Sequence, residues 1–160
     1  MSARSSIKNA LVAALNAELS AENVGEKYHT DIDNNTLGDT LFMDSIEAFP
    51  GITVGLGPER PEYQPGGFRW NFLTLYIRIY VKSEDESEEQ LELIISDLKT
   101  FIDNFENLAY TVTDPKGNVT NKTVTQITLK SITTDEGLAK PLGVGELNVE
   151  LRYAEHSTRY

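Results

Sequence analysis

The stretch "WNFLTLYIRIYV", residues 70–81, decides the fold. Taken at the two-residue period of a β-strand, one side is Leu73, Leu75, Ile77, Ile79 and Val81, all aliphatic. The other side is Trp70, Phe72, Thr74, Tyr76, Arg78 and Tyr80. A half-buried strand should alternate apolar with polar, yet this second side is mostly aromatic. The first side predicts a core. The second side needs something to rest against.

The strand, expected over about Phe68 to Lys82, runs straight into "SEDESEEQLELIISDLKTFIDNF" (83–105). Ser83 with Glu86 three residues on reads as a capping box, and Glu84, Asp85, Glu88 and Glu89 place negative charge where a helix dipole is positive. Leu91, Ile94, Ile95, Leu98, Ile102 and Phe105 then fall on one helical face. Burying six such side chains contributes on the order of 10 kcal/mol before entropy is charged. The natural place for that stripe is the aliphatic side of the strand.

Upstream, Ile7, Leu11, Leu15 and Leu19 recur every four residues and predict a first helix over about Ile7 to Ser20, capped by Ser5 or Ser6. Residues 26–44 are polar and turn-rich and read mostly as loop. "SIEAFPGITVGLG" (45–57) suggests a short strand broken at Pro50-Gly51 and another at Ile52–Leu56. "GPERPEYQPGG" (57–67), dense in proline and glycine, reads as a long loop joining two strands. Downstream, Leu108, Tyr110 and Val112 alternate, "DPKGN" (114–118) signals a turn, and "TVTQITLKSIT" (123–133) reads as one strand completing a hairpin. "DEGLAKPLGVG" (135–145) is a second glycine-rich loop. The last strand points Leu147, Val149, Leu151 and Tyr153 inward and Glu146, Asn148, Glu150 and Arg152 outward. "AEHSTRY" (154–160) reads as a short mobile tail, so that residues 150–160 are partly tail. The layout is a single α+β domain over residues 1–160: a largely antiparallel sheet with the N-terminal and central helices packed on one face.

Composition narrows the function. The 160 residues carry 14 basic and 25 acidic side chains, a net charge of −11, which disfavours the Lys/Arg stripes that nucleic-acid binding needs. No apolar run approaches the ~20 residues of a membrane span, and the first 23 residues make a poor secretory signal. The absence of cysteine excludes disulfides, thiol catalysis and Cys-ligated zinc. The Asn-x-Thr sequons at Asn34, Asn118 and Asn121 are read as chance composition.

Motifs for chemistry are weak. His29 and His156 stand far apart and read as solvated surface residues. "DIDNNTLGD" (31–39) offers Asp31, Asp33 and Asn35 at calcium-loop spacing, but Thr36 and Phe42 occupy the positions where an EF-hand requires Gly and Glu. The acidic run at 84–92 is accounted for by the helix dipole. No phosphate-cradling glycine pattern is present. The expectation is a protein with no catalytic residue, metal or cofactor.

The aromatic side then has two candidate covers. One is intramolecular: the first helix, or residues 26–44 with Leu37, Leu41, Phe42 and Met43. The other is a subunit interface through Trp70, Phe72, Tyr76, Arg78 and Tyr80, a composition enriched at protein contacts. A third arrangement combines the two, with Trp70 and Phe72 internal and Tyr76, Arg78 and Tyr80 external.

In element order, length and texture the chain resembles the tail terminator (tail-completion) proteins of long-tailed, siphophage-type bacteriophages. The likeness is carried by "FPGITVGLGPERPEYQPGGFRWNFLTLYIRIYVKSEDESEEQLELIISDLKTFIDNF" (49–105) and "GVGELNVELRYAEH" (143–156). It implies a virion structural protein, assembled in the host cytoplasm and placed at the head-proximal end of the tail. Such a protein forms a ring, hexameric in this family, that caps the finished tail tube, stops its polymerisation and presents a surface for the head connector. Its partners would be itself, the tail tube protein and the connector, with no membrane and no specific nucleic acid, although DNA passes through the ring. The side-to-side contact would use the aromatic strand face. The axial contacts would fall to the two Pro/Gly-rich loops, through Glu59, Arg60, Glu62 and Tyr63 in one and Glu136 and Lys140 in the other. The competing expectations are another ring-forming head–tail connection protein, and a small acidic calcium-binding or hydrolytic domain built on Asp31 and Asp33.

Overall fold

A computed structural model describes residues 2–38, 46–105 and 107–157. In chain order the elements are α1 (Ala3–Glu18), a 3-10 turn (Ala21–Asn23), β1 (Thr36–Leu37), β2 (Gly51–Gln64), β3 (Phe68–Lys82), α2 (Ser87–Asp103), β4 (Leu108–Thr113), β5 (Val119–Val124), β6 (Gln126–Thr134) and β7 (Leu142–His156). Five strands form one sheet in the order β1-β2-β3-β7-β6, and β4 pairs with β5 in a separate two-stranded sheet. The fold is α+β and mostly antiparallel, with β3 at its centre.

Both helices bury their stripes on the aliphatic side of β3. Ile7, Leu11, Leu15 and Leu19 are fully buried together with Leu73, Leu75, Ile77 and Ile79, and Leu147, Val149 and Leu151 of β7 complete the layer. α1 begins at Ala3, ahead of the expected start: Ser2, not Ser5 or Ser6, is the cap, its hydroxyl accepting the Ser5 N–H at 3.3 Å. Ser83 forms half of the expected box, accepting the Glu86 N–H at 3.1 Å, but residues 84–86 make a separate turn and α2 starts at Ser87. Phe101 joins the buried stripe, while Phe105 packs only at its margin.

The largest departure from the sequence reading lies between β2 and β3. Gly57–Gln64 is strand, not loop: β2 stays paired with β3 out to Gln64↔Phe68, and only Pro65–Gly67 turns. A bulge between Leu56 and Glu59 admits one extra residue, opposite Thr74. Pro58 and Pro61 are tolerated because β1 covers β2 only at Ile52 and Thr53, leaving the rest an edge where a missing N–H costs no ladder bond. Gly66 and Gly67 take φ of +99° and +83°, which makes the tight reversal.

Three smaller corrections share a cause: long-range pairing, which local patterns do not encode. Residues 46–50 form no strand, with bends at 48–50, and the described end of the preceding segment instead supplies β1, parallel to β2. Leu41, Phe42 and Met43 lie outside the described residues. The expected strand at 123–133 is divided at Thr125, whose N–H and hydroxyl both donate to the Arg152 carbonyl, at 2.9 and 3.0 Å; β5 leaves one sheet there and β6 enters the other. The expected tail is ordered through Ser157: β7 pairs His156 with Phe68, and the Ser157 N–H donates to the Gly67 carbonyl at 2.8 Å.

Candidate assembly surface

Alternation along β3 sends Trp70, Phe72, Thr74, Tyr76 and Arg78 to the side of the sheet away from the helices, and all five are half-buried. Their cross-strand neighbours on β7 are Ala154, Arg152, Glu150, Asn148 and Glu146. The result is a face where rings alternate with charges. The Arg152 guanidinium lies 4.2 Å from the Trp70 ring centroid and that of Arg60 lies 4.3 Å from the Phe72 centroid. Phe68 meets Trp70 edge-on, at 5.5 Å and 90°. Arg78 donates from Nε to Glu146 Oε2 at 2.7 Å and sits 5.7 Å from the Tyr76 ring. That hydrogen bond to Glu146 raises the Arg78 pKa further, outweighing partial desolvation.

Tyr80 does not belong to this exposed set. It is 5% exposed and shares a pocket with Leu37, Ile46, Ala48 and Ile52 of its own chain. The reason is topological, since residues 46–53 and β1 close over that end of the strand. Sequence alternation alone places Tyr80 beside Tyr76 and Arg78.

The residues expected in the first loop stand on β2, all four beyond the bulge, and strand alternation divides them. Arg60 and Glu62 pair opposite Phe72 and Trp70, and so join the ring-bearing face. Glu59 and Tyr63 point to the other side. Glu59 accepts the Tyr153 hydroxyl proton, and Tyr63 is 36% exposed, 6.0 Å from the Arg69 guanidinium. The exposed Arg60–Glu62 pair at 3.3 Å adds little stability. Glu136 and Lys140 do lie on a loop, residues 135–141, with Glu136 at φ +56° and both exposed.

Behind the arm formed by β2 and β3 lies a polar network that the sequence reading missed. The Asn71 side-chain amide, fully buried, and Arg69 Nη2 donate to the same Glu155 oxygen, at 2.6 and 2.9 Å. Tyr153 meets Tyr110 of β4 edge-on at 6.1 Å. Burial, then the Glu155 charge, pushes the Tyr110 phenol up to about 12; burial, then the hydrogen bond to Glu59, raises that of Tyr153. The alternation of Arg69, Asn71, Tyr153 and Glu155 was the available signal for a polar inner face.

For chemistry the described residues offer little. No group of three or more His, Cys, Asp or Glu among them is placed to hold a metal ion. Asp31, the first residue of the calcium-like spacing, accepts the Asp33 N–H at 2.8 Å, a local turn with Asp33 and Asn34 at positive φ. His29 donates its backbone N–H to buried Asp97 at 2.8 Å, while His156 ends β7. No helix among the described residues is long and apolar enough to cross a membrane.

The two connections of the main sheet point in opposite directions. β3 and β7 pair over 15 positions from Phe68↔His156 to Lys82↔Leu142, which spans about 50 Å of extended chain. The Pro65–Gly67 turn is at one end, and residues 135–141 are at the other.

Over residues 1–160 the sequence matches the family described as Bacteriophage Tail Tube Terminator Protein. It is similar to a tail tube terminator protein of Escherichia phage T5, 37% identical over 153 residues that cover 96% of this chain and 94% of that one. Among solved structures it is similar to a chain of the virion of a native gene transfer agent particle, with a TM-score of 0.49, 11% identity and 96% of each chain covered.

Proposed function

Since the chain belongs to the bacteriophage tail tube terminator proteins, a family of structural virion components of the phage tail, we propose that it closes into a ring on the last layer of the finished tube, halts polymerisation there and offers its far side to the head connector. The side-to-side contact uses the ring-bearing face of the sheet, and a hexamer is the expected closure. The observation that carries this reading is the half-exposed row Trp70, Phe72, Tyr76 and Arg78, with Arg60 and Arg152 laid over it. Aromatic rings interleaved with arginine are the composition enriched at protein contacts and their hot spots.

A contact between unlike surfaces repeated about an axis either closes or runs on as a filament. A terminator has to close sideways and present two unlike ends. The turn at Pro65–Gly67 and the loop at 135–141, at opposite ends of a long sheet, supply two such ends, and they are the axial contacts in this proposal. Net charge of −11 suits a lumen through which DNA passes without adhering.

Electron microscopy of purified tail tubes mixed with the protein tests the proposal. A ring at one end only is expected, with Trp70→Ala/Tyr76→Ala folded but unable to form it. Rings at both ends, or none, or intact rings from the double variant, would reject the assignment.

A further inference from the structure

Leu138 is 89% exposed, whereas the next most exposed large hydrophobic side chain among the described residues, Val119, reaches 63%. A bare leucine on a floppy loop would signify little, but this loop is pinned at almost every position. The Asp135 carboxylate accepts the N–H groups of Ala139 and Val144 at 3.0 and 3.3 Å, and the Asp135 and Leu138 N–H groups donate to the Val144 and Asp135 carbonyls at 3.0 Å each. The Ser83 N–H donates to the Pro141 carbonyl at 2.9 Å, which fastens the loop to the start of the α2 segment. Gly137, at φ +82°, lies so close under Glu88 that a Cβ there would collide with its carboxylate oxygen. The loop backbone is thus held while one apolar side chain stands out in water. A side chain presented this way loses little entropy on docking, which is the condition for a hot spot.

The surroundings state what it fits. Glu88, Glu92, Asp135 and Glu136 line one shallow depression beside it. Against these four carboxylates the same loop exposes one cation, Lys140, so the ground beside the apolar knob is net acidic and complementary to an apolar socket flanked by lysine or arginine. We infer that residues 135–141 form the tube-facing contact, with Leu138 entering such a socket on the exposed end of the tail tube. This rests on the reading of the chain as a tube cap. The tube is assigned rather than the connector because the tube is the partner that stopping growth requires. The turn at the opposite end, Pro65–Gly67, has no large apolar side chain of its own, and Tyr63 beside it is only 36% exposed.

The test uses the full-length chain and purified tail tubes in a co-sedimentation assay, with thermal melting of each variant and head joining scored separately. Leu138→Ala should weaken tube binding about tenfold or more, and Leu138→Asp should abolish it, with melting unchanged. Glu92→Lys should weaken binding and flatten its dependence on salt, and Val119→Ala should bind normally. Leu138 variants that cap tubes like the parent, or that cap tubes and fail only at head joining, overturn the inference. Failure of the parent chain to bind tubes would instead overturn the tube-cap reading on which it rests.

Discussion

The Arg152 guanidinium lies over the ring of Trp70, 4.2 Å from its centroid, on the side of the sheet away from both described helices. Trp70 is the chain's only tryptophan, so its emission reports this face alone. If the face becomes a subunit contact, Trp70 leaves water on assembly and its emission shifts to the blue as rings form. Arg152→Ala should cost the isolated chain no more than about 1 kcal/mol, the scale of an exposed cation–π pair, while weakening ring formation. Emission spectra collected beside sedimentation profiles check both. An unshifted spectrum in assembled particles would place Trp70 outside the contact.

Tyr153 and Tyr110 touch, yet their hydroxyls differ. That of Tyr153 donates to Glu59, and that of Tyr110 is buried with no partner among the described residues. Tyr153→Phe should therefore destabilise by about 1.5–3 kcal/mol, the range for a hydrogen bond to a charged group, whereas Tyr110→Phe should be neutral or stabilising. Both phenols have folded pKa values raised above the unfolded value near 10, Tyr110 to about 12. In that case the unfolded chain loses its phenolic protons first. Stability is then intact below pH 10 and falls as pH rises through the folded values. Denaturant melts at pH 8, 10 and 11 should show the decline, and Tyr110→Phe should make it shallower.

Gly57 sits at the bulge where β2 changes its facing. A Cβ there would lie 2.8 Å from the Tyr76 ring and 2.9 Å from the Thr74 carbonyl oxygen. The ring can swing but the backbone oxygen cannot, so Gly57→Ala should destabilise by about 1–3 kcal/mol, the usual cost of overpacking. It should also displace Tyr76. Thermal melting together with a ring-formation assay separates the two effects, and an unchanged melt would mean the bulge relaxes freely.

The core was legible in the sequence because it is written in local periods: the four-residue spacing of Ile7 to Leu19, the stripe Leu91 to Ile102, and strict alternation in β3 and β7. Proline and glycine misled at Gly57–Gly67, since they mark a loop only where backbone donors are needed, and an edge strand needs fewer of them. Thr125 carries no local sign that the chain changes sheets there. The site was half legible. Trp70, Phe72, Tyr76 and Arg78 follow from alternation, but the cover over Tyr80 and the joining of Arg60 and Arg152 to the same face depend on neighbours distant in sequence. Leu138 is not singled out by the sequence, because there it is one of several large aliphatic residues between Asp135 and Gly145, and only the start of β7 at Leu142 leaves it alone on the loop.

The single extra residue at the bulge acts as a parity switch. Upstream of it, even-numbered positions of β2 face the helices; downstream, even-numbered positions face away. Losing or gaining one residue between Leu56 and Glu59 would therefore leave the arm about as long as before but invert it, turning Arg60 and Glu62 toward the buried Asn71–Glu155 network and sending Glu59 out. Length changes at the Pro65–Gly67 tip carry no such inversion. The arm can be trimmed at its end, but at its root every residue counts twice.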